Sequence, residues 1–103
     1  MRADMVIHPG EILREDFMLP FKLSANRLAG AMGVPANRIT AILHGHRGIS
    51  GETALLFGRV FGTTPEFWMN LQIRYELDRA VAHTATARLE AAEAFGRTLT
   101  QSD

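Results

Sequence analysis

An all-α fold, five helices followed by a helical or partly frayed tail, is predicted for this 103-residue chain by three observations. Apolar residues recur at helical spacing, and no convincing alternating strand appears. Helix punctuation repeats along the chain: Pro9, Pro35 and Pro65 suit first helical positions, Ser24, Ser50 and Thr64 suit N-caps, and Gly33, Gly45 and Gly62 suit left-handed stops. From Glu66 to Phe95 neither proline nor glycine interrupts the chain. The length fits one domain with a modest core.

The first helix is expected over about Pro9 to Leu19, where Glu11 favours the positive end of the dipole, Ile12, Leu13 and Phe17 supply an apolar face, and Pro20 stops it. The second, over 24–32, is capped by Ser24, packs Leu28, Ala29 and Met32 inward, and stops at Gly33. The third, over 35–44, opens at Pro35 and ends at Gly45. Its spacing gathers Pro35, Ile39 and Ile42 on one face and turns Asn37, Thr40, Ala41 and His44 outward, with Arg38 at the flank. A short helix, a tight turn at Gly33-Val34 and a second short helix with a polar outer face make a helix-turn-helix, whose second member can enter a major groove. The fourth helix runs from the Ser50 cap to Gly62 with Ala54, Leu55, Phe57 and Phe61 as core candidates, and Gly58 marks a close contact. The fifth opens at Thr64-Pro65-Glu66, lines one face with Trp68, Leu71 and Tyr75, and bends or breaks near His83-Thr84. Residues 1–80 therefore form the helix-turn-helix domain and 81–103 the tail.

Composition narrows the function classes. The formal net charge is zero, yet no acid lies between Asp16 and Glu52, an interval holding Lys22, Arg27, Arg38, Arg47, His44 and His46. Such a run is either a solvated face or a surface for phosphate. Without cysteine there is no disulfide, thiolate ligand or catalytic thiol, which favours the cytoplasm. No apolar run is long enough to span a bilayer, and the N-terminal MRADMVIHPG does not read as a signal peptide.

The outward face of the third helix has the chemistry of base reading. The Asn37 amide can pair with adenine N6 and N7, Thr40 can bond a base edge or a phosphate, Ala41 can touch a thymine methyl, and Arg38 can reach a guanine or a phosphate from the flank. Ser24, Asn26 and Arg27 open the second helix, where free amides suit the DNA backbone, and His44, His46 and Arg47 would grip phosphate beyond the third. For each of these residues the plain alternative is solvent exposure. A metal reading of His44-x-His46 is weaker, because Gly45 ends the helix between them and no nearby acid or cysteine completes a tetrahedral set. His8 reads as part of the start of the first helix and His83 as an exposed tail residue. No nucleophile, base and orienting group are brought together by a motif, so neither an enzyme nor a cofactor is expected.

The segments IHPGEIL (7–13), LSANRLAGAMGVPANRITAILHGHRGIS (23–50), TALLFGRVFGTTPEFWMNLQ (53–72) and the following Tyr75-Glu-Leu resemble the HigA-type antitoxins, small proteins of the lambda-repressor-like helix-turn-helix superfamily. The resemblance covers about residues 6–80. It implies a five-helix lambda-repressor-like DNA-binding domain, here with a helical C-terminal extension, in a homodimer that binds an operator palindrome and a HigB-like, mRNA-cleaving toxin. Two departures stand out. His44-Gly45-His46-Arg47 replaces the Asn-Gly-Lys-Arg of many relatives, exchanging a permanent charge for a titratable one, and Gly30 occupies a position often held by a longer side chain. The alternatives are a stand-alone repressor of the same fold and, more remotely, a metal-dependent or enzymatic module. Acidic Glu11, Glu15 and Asp16 are candidates to meet a basic toxin. Leu71, Tyr75, Leu89 and Phe95 are candidates for the dimer seam, offering apolar surface that a small domain does not bury alone.

Overall fold

The computed structural model describes residues 5–100, so the outermost residues of the two expected regions, 1–4 and 101–103, lie outside the described residues. Six α-helices and no strand are found among the described residues: α1 (Pro9–Ile12), α2 (Ala25–Met32), α3 (Ala36–Leu43), α4 (Gly51–Phe61), α5 (Pro65–His83) and α6 (Thr86–Thr100). Side-chain caps follow the sequence logic. Ser24 Oγ accepts from Arg27 N–H, Ser50 Oγ from Thr53 N–H and Thr64 Oγ1 from Phe67 N–H, and Gly33 and Gly62 take left-handed φ of 70° and 72°.

The first helix is less regular than expected. After one α-turn it widens into a π-helical stretch (Leu13–Met18) and tightens into a 3-10 turn (Leu19–Phe21). Pro20 does not end it as predicted but sits inside that last turn, which closes through Lys22 N–H to the Leu19 carbonyl and Leu23 N–H to the Met18 carbonyl. Lys22, the one described non-glycine residue with positive φ (51°), then reverses the chain. Pro35 is also displaced from its expected place: it is the extended N-cap of α3 (ψ 145°), and it is exposed rather than inward-facing. Leu55 is 59% exposed and leaves the predicted core, because the α4 face that packs is carried by Ala54 and Phe57, both fully buried.

One core joins the first five helices: Leu13 and Met18, Leu28, Ala29 and Met32, Ile39 and Ile42, Ile49, Ala54 and Phe57, and Trp68. Trp68 is fully buried among Phe17, Phe57, Phe61 and Phe67, and its indole N–H donates to Thr63 Oγ1 at 2.7 Å, so both its apolar body and its polar tip are satisfied. Gly58 is a point of close approach, since a Cβ there would stand 2.8 Å from the Thr63 carbonyl oxygen.

α5 ends at His83, and Thr84 is extended, so the chain breaks at His83-Thr84 as expected. α6 buries no residue and makes no substantial packing contact with the other described elements. The radius of gyration, 18.1 Å, exceeds the roughly 13 Å of a compact 100-residue domain for this reason.

Candidate nucleic-acid interface

α2 and α3 pack against each other across the turn at Gly33, and their buried residues lie on the sides that face the core. With Ile39 and Ile42 fully buried, helical geometry turns Asn37, Thr40 and Ala41 away from the core. Asn37 is exposed, while Thr40 and Ala41 are half-buried. The Thr40 hydroxyl donates to the Asn37 carbonyl (3.3 Å), leaving its oxygen as an acceptor.

The end of α3 is a Schellman turn. Gly45 is left-handed (φ 77°), His46 N–H returns to the Ala41 carbonyl at 2.8 Å and Gly45 N–H to the Ile42 carbonyl at 3.1 Å. This geometry fixes the loop holding exposed His46 and Arg47 directly against the end of the helix, and His44, its C-cap, is exposed as well. The His44 and His46 rings lie 6.0 Å apart, and no group of three or more potential metal ligands forms among the described residues. On α2, Asn26 and Arg27 are exposed, whereas the Ser24 hydroxyl is engaged as a cap.

Arg38 departs from the simple picture of a basic flank. Its Nη1 lies 3.2 Å from Glu52 Oε1, its side chain is only 22% exposed, and its buried Nε has no acceptor. The interval that is free of acid in sequence is therefore not free of acid in space: Glu52, in the first turn of α4, reaches back to the reading helix.

Several residues to which the sequence assigned no part in this face hold it in position. Gln72, buried on α5, accepts Ile49 N–H at 2.7 Å and donates to Glu76 at 2.8 Å, so it fastens the segment that follows the cationic loop. A Cβ at Gly48 would stand 2.7 Å from the Gln72 amide nitrogen. At Gly10 a Cβ would overlap the Ile42 carbonyl oxygen, so glycine permits α1 to lie against the end of α3, and Arg14 Nη2 donates to the Leu43 carbonyl at 3.1 Å across the same contact. His8, expected at the start of the first helix, is its N-cap: Nδ1 accepts Gly10 N–H at 2.9 Å and the ring meets Tyr75 edge-on at 4.7 Å. Burial pushes its pKa below the ordinary imidazole value, against the smaller opposing pulls of a backbone hydrogen bond to Arg47 and the charge of Glu11.

Glu11, Glu15 and Asp16 are all exposed. The four residues singled out for a dimer seam divide. Leu71 packs against the core and Tyr75 against His8, whereas Leu89 and Phe95 on α6 are 53% and 65% exposed. The face of α5 opposite Leu71 and Tyr75 carries Ile73, Leu77 and Val81 at four-residue spacing, and all three are exposed.

No protein-family profile matches the chain. Virulence-associated protein I of Dichelobacter nodosus is 47% identical over 74 residues, which are 72% of this chain and 68% of that protein. Among solved structures, the Pseudomonas aeruginosa antitoxin HigA with the higBA promoter is 46% identical with a TM-score of 0.74, over 76% of this chain and 85% of that one. An addiction module antidote protein of the HigA family from Coxiella burnetii is 41% identical with a TM-score of 0.72, over 100% of this chain and 98% of its own. With the same fold and this degree of identity over most of both chains, the protein belongs to the HigA-type antitoxin family of the lambda-repressor-like helix-turn-helix superfamily.

Proposed function

We propose that this protein is a homodimeric DNA-binding antitoxin that represses its own operon at an inverted repeat and neutralises a HigB-like mRNA-cleaving toxin, acting in the cytoplasm. The observation that carries the DNA half is the α3 surface: exposed Asn37 beside Thr40 and Ala41, continued by a Schellman turn that presents His44, His46 and Arg47. Asn37 is the base reader in this proposal. Arg47, His46, His44, Asn26 and Arg27 meet phosphate, and the Ser24 cap orders the first amides of α2. The promoter bound by the P. aeruginosa relative supports the same assignment. Two copies of α3 would then fall on half-sites about one helical turn apart.

The dimer seam is assigned to the outward face of α5 and to α6, through Ile73, Leu77, Leu89 and Phe95. Exposed Glu11, Glu15 and Asp16 form the proposed toxin face.

Binding to the upstream region of its own gene, measured with the full chain against a scrambled duplex, tests the reading. Asn37→Ala should reduce the preference for the native sequence by roughly 5- to 150-fold. Arg47→Ala should weaken binding to both duplexes and lower the salt slope by about one. Indifference to both changes would discard the α3 face. Operator binding without capture of any toxin encoded beside the gene would leave a stand-alone repressor.

A further inference from the structure

Arg38 and Glu52 form a contact that the plain DNA-reading account does not use. The pair joins α3, the reading helix, to the first turn of α4, with Nη1 and Oε1 3.2 Å apart. Its two ends differ in environment: the arginine side chain is 22% exposed and the glutamate side chain 70% exposed. The pairing is also incomplete on the arginine side, because Nε is buried without an acceptor. A guanidinium presents a fork of donors suited to two parallel bonds with one partner, as in its bidentate grip on guanine or phosphate. Glu52 bonds Nη1, one tine of the end-on fork, and the buried Nε stays without an acceptor.

We propose that Glu52 is a specificity-determining residue: it parks Arg38 in the free protein, and DNA must take Arg38 from it. This inference rests on α3 being the DNA-reading surface. A duplex that offers two well-placed acceptors satisfies Nη1 and Nη2 together, end-on, and recovers the lost ion pair. A duplex that offers only a loosely placed phosphate does not, and it also meets the carboxylate of Glu52 as a like charge. The penalty therefore falls mainly on non-cognate DNA. Glu52 acts as a repulsive element that widens the gap between right and wrong sequences, while the attraction comes from Asn37, Arg47 and their neighbours.

The test compares the native upstream duplex with a scrambled duplex of equal composition, for wild type, Glu52→Gln, Arg38→Gln and the double variant of the full chain. Glu66→Gln, which removes an equal exposed charge from the first turn of α5, is the control. Circular dichroism and urea midpoints verify that each variant is folded. Glu52→Gln should strengthen binding to scrambled DNA more than to native DNA, so that the specificity ratio falls roughly fivefold or more, the lower end of what a bidentate arginine contact contributes. The salt slope on scrambled DNA should steepen by about one. In the Arg38→Gln background, Glu52→Gln should leave the ratio unchanged. Equal strengthening on both duplexes, an effect matched by Glu66→Gln, or persistence of the effect without Arg38 would each overturn the proposal. If wild-type protein does not discriminate the two duplexes at all, the DNA-reading assignment itself fails, a result separate from any variant.

Discussion

At the scale of single residues, His8 shows how one side chain can serve several elements. It caps α1, meets Tyr75 of α5 and approaches the loop after α3, and its Nδ1 must be unprotonated to accept Gly10 N–H. Because the folded-state pKa is depressed by burial, the unfolded chain binds more protons, and stability rises with pH in that range. The contribution is complete above the ordinary imidazole pKa and is lost as pH falls through the lower value of the folded protein. Urea midpoints taken between about pH 8 and about pH 5 should therefore drop more for wild type than for His8→Asn, which keeps a capping acceptor and removes the titration. Parallel curves would show that another group carries the acid sensitivity. Asn37 and Trp68 were legible in the sequence because their positions follow from helical period alone. Arg38 was not, since its partner Glu52 is 14 residues away and reaches it only once α4 packs against the helix-turn-helix.

At the scale of elements, two glycines of similar appearance have opposite roles. Gly10 lies where α1 crosses the end of α3, and any Cβ would collide with the Ile42 carbonyl oxygen. Gly30 lies within α2 with nothing within 4 Å of its would-be Cβ. Gly10→Ala should lose about 1–3 kcal/mol, as overpacked contacts do, and should weaken DNA binding by moving the end of the reading helix. Gly30→Ala should gain about 0.4–1 kcal/mol by restricting the unfolded chain. Urea denaturation of both variants checks the pair, and a neutral Gly10→Ala would mean that α1 can back away from α3 at no cost. The first helix illustrates the limit of reading elements from punctuation. Pro20 forbids a continued α-helix, yet the widened turn at Leu13–Met18 lets the chain pass through it into a 3-10 turn.

For the whole molecule, the separation between the core and α6 is the governing feature. The structure extends 59 Å along its longest axis, and α6 contributes nothing to the core. A chain ending at Thr84 should accordingly keep its fold. Under the proposed dimer it should also lose self-association in light scattering and bind the operator more weakly, because two linked reading helices are replaced by one. A truncated chain that remains dimeric would confine the seam to Ile73, Leu77 and Val81 on α5.

The sequence by itself determined the helical class, the caps at Ser24, Ser50 and Thr64, the Gly33 and Gly62 stops, the break after His83 and the outward face of α3, because each depends on neighbours within a turn or two of helix. Only the tertiary structure decided which apolar face of α5 is spent on the core. Leu71 packs against the core and Tyr75 against His8, whereas Ile73, Leu77 and Val81 are left outside. The same holds for the bond between Gln72 and Ile49 and for the Arg38–Glu52 pair, which join residues 23 and 14 positions apart. Local periodicity states that a helix has faces, but which face meets what is settled by the packing of distant segments, where burial and the pairing of buried polar groups outweigh local preference.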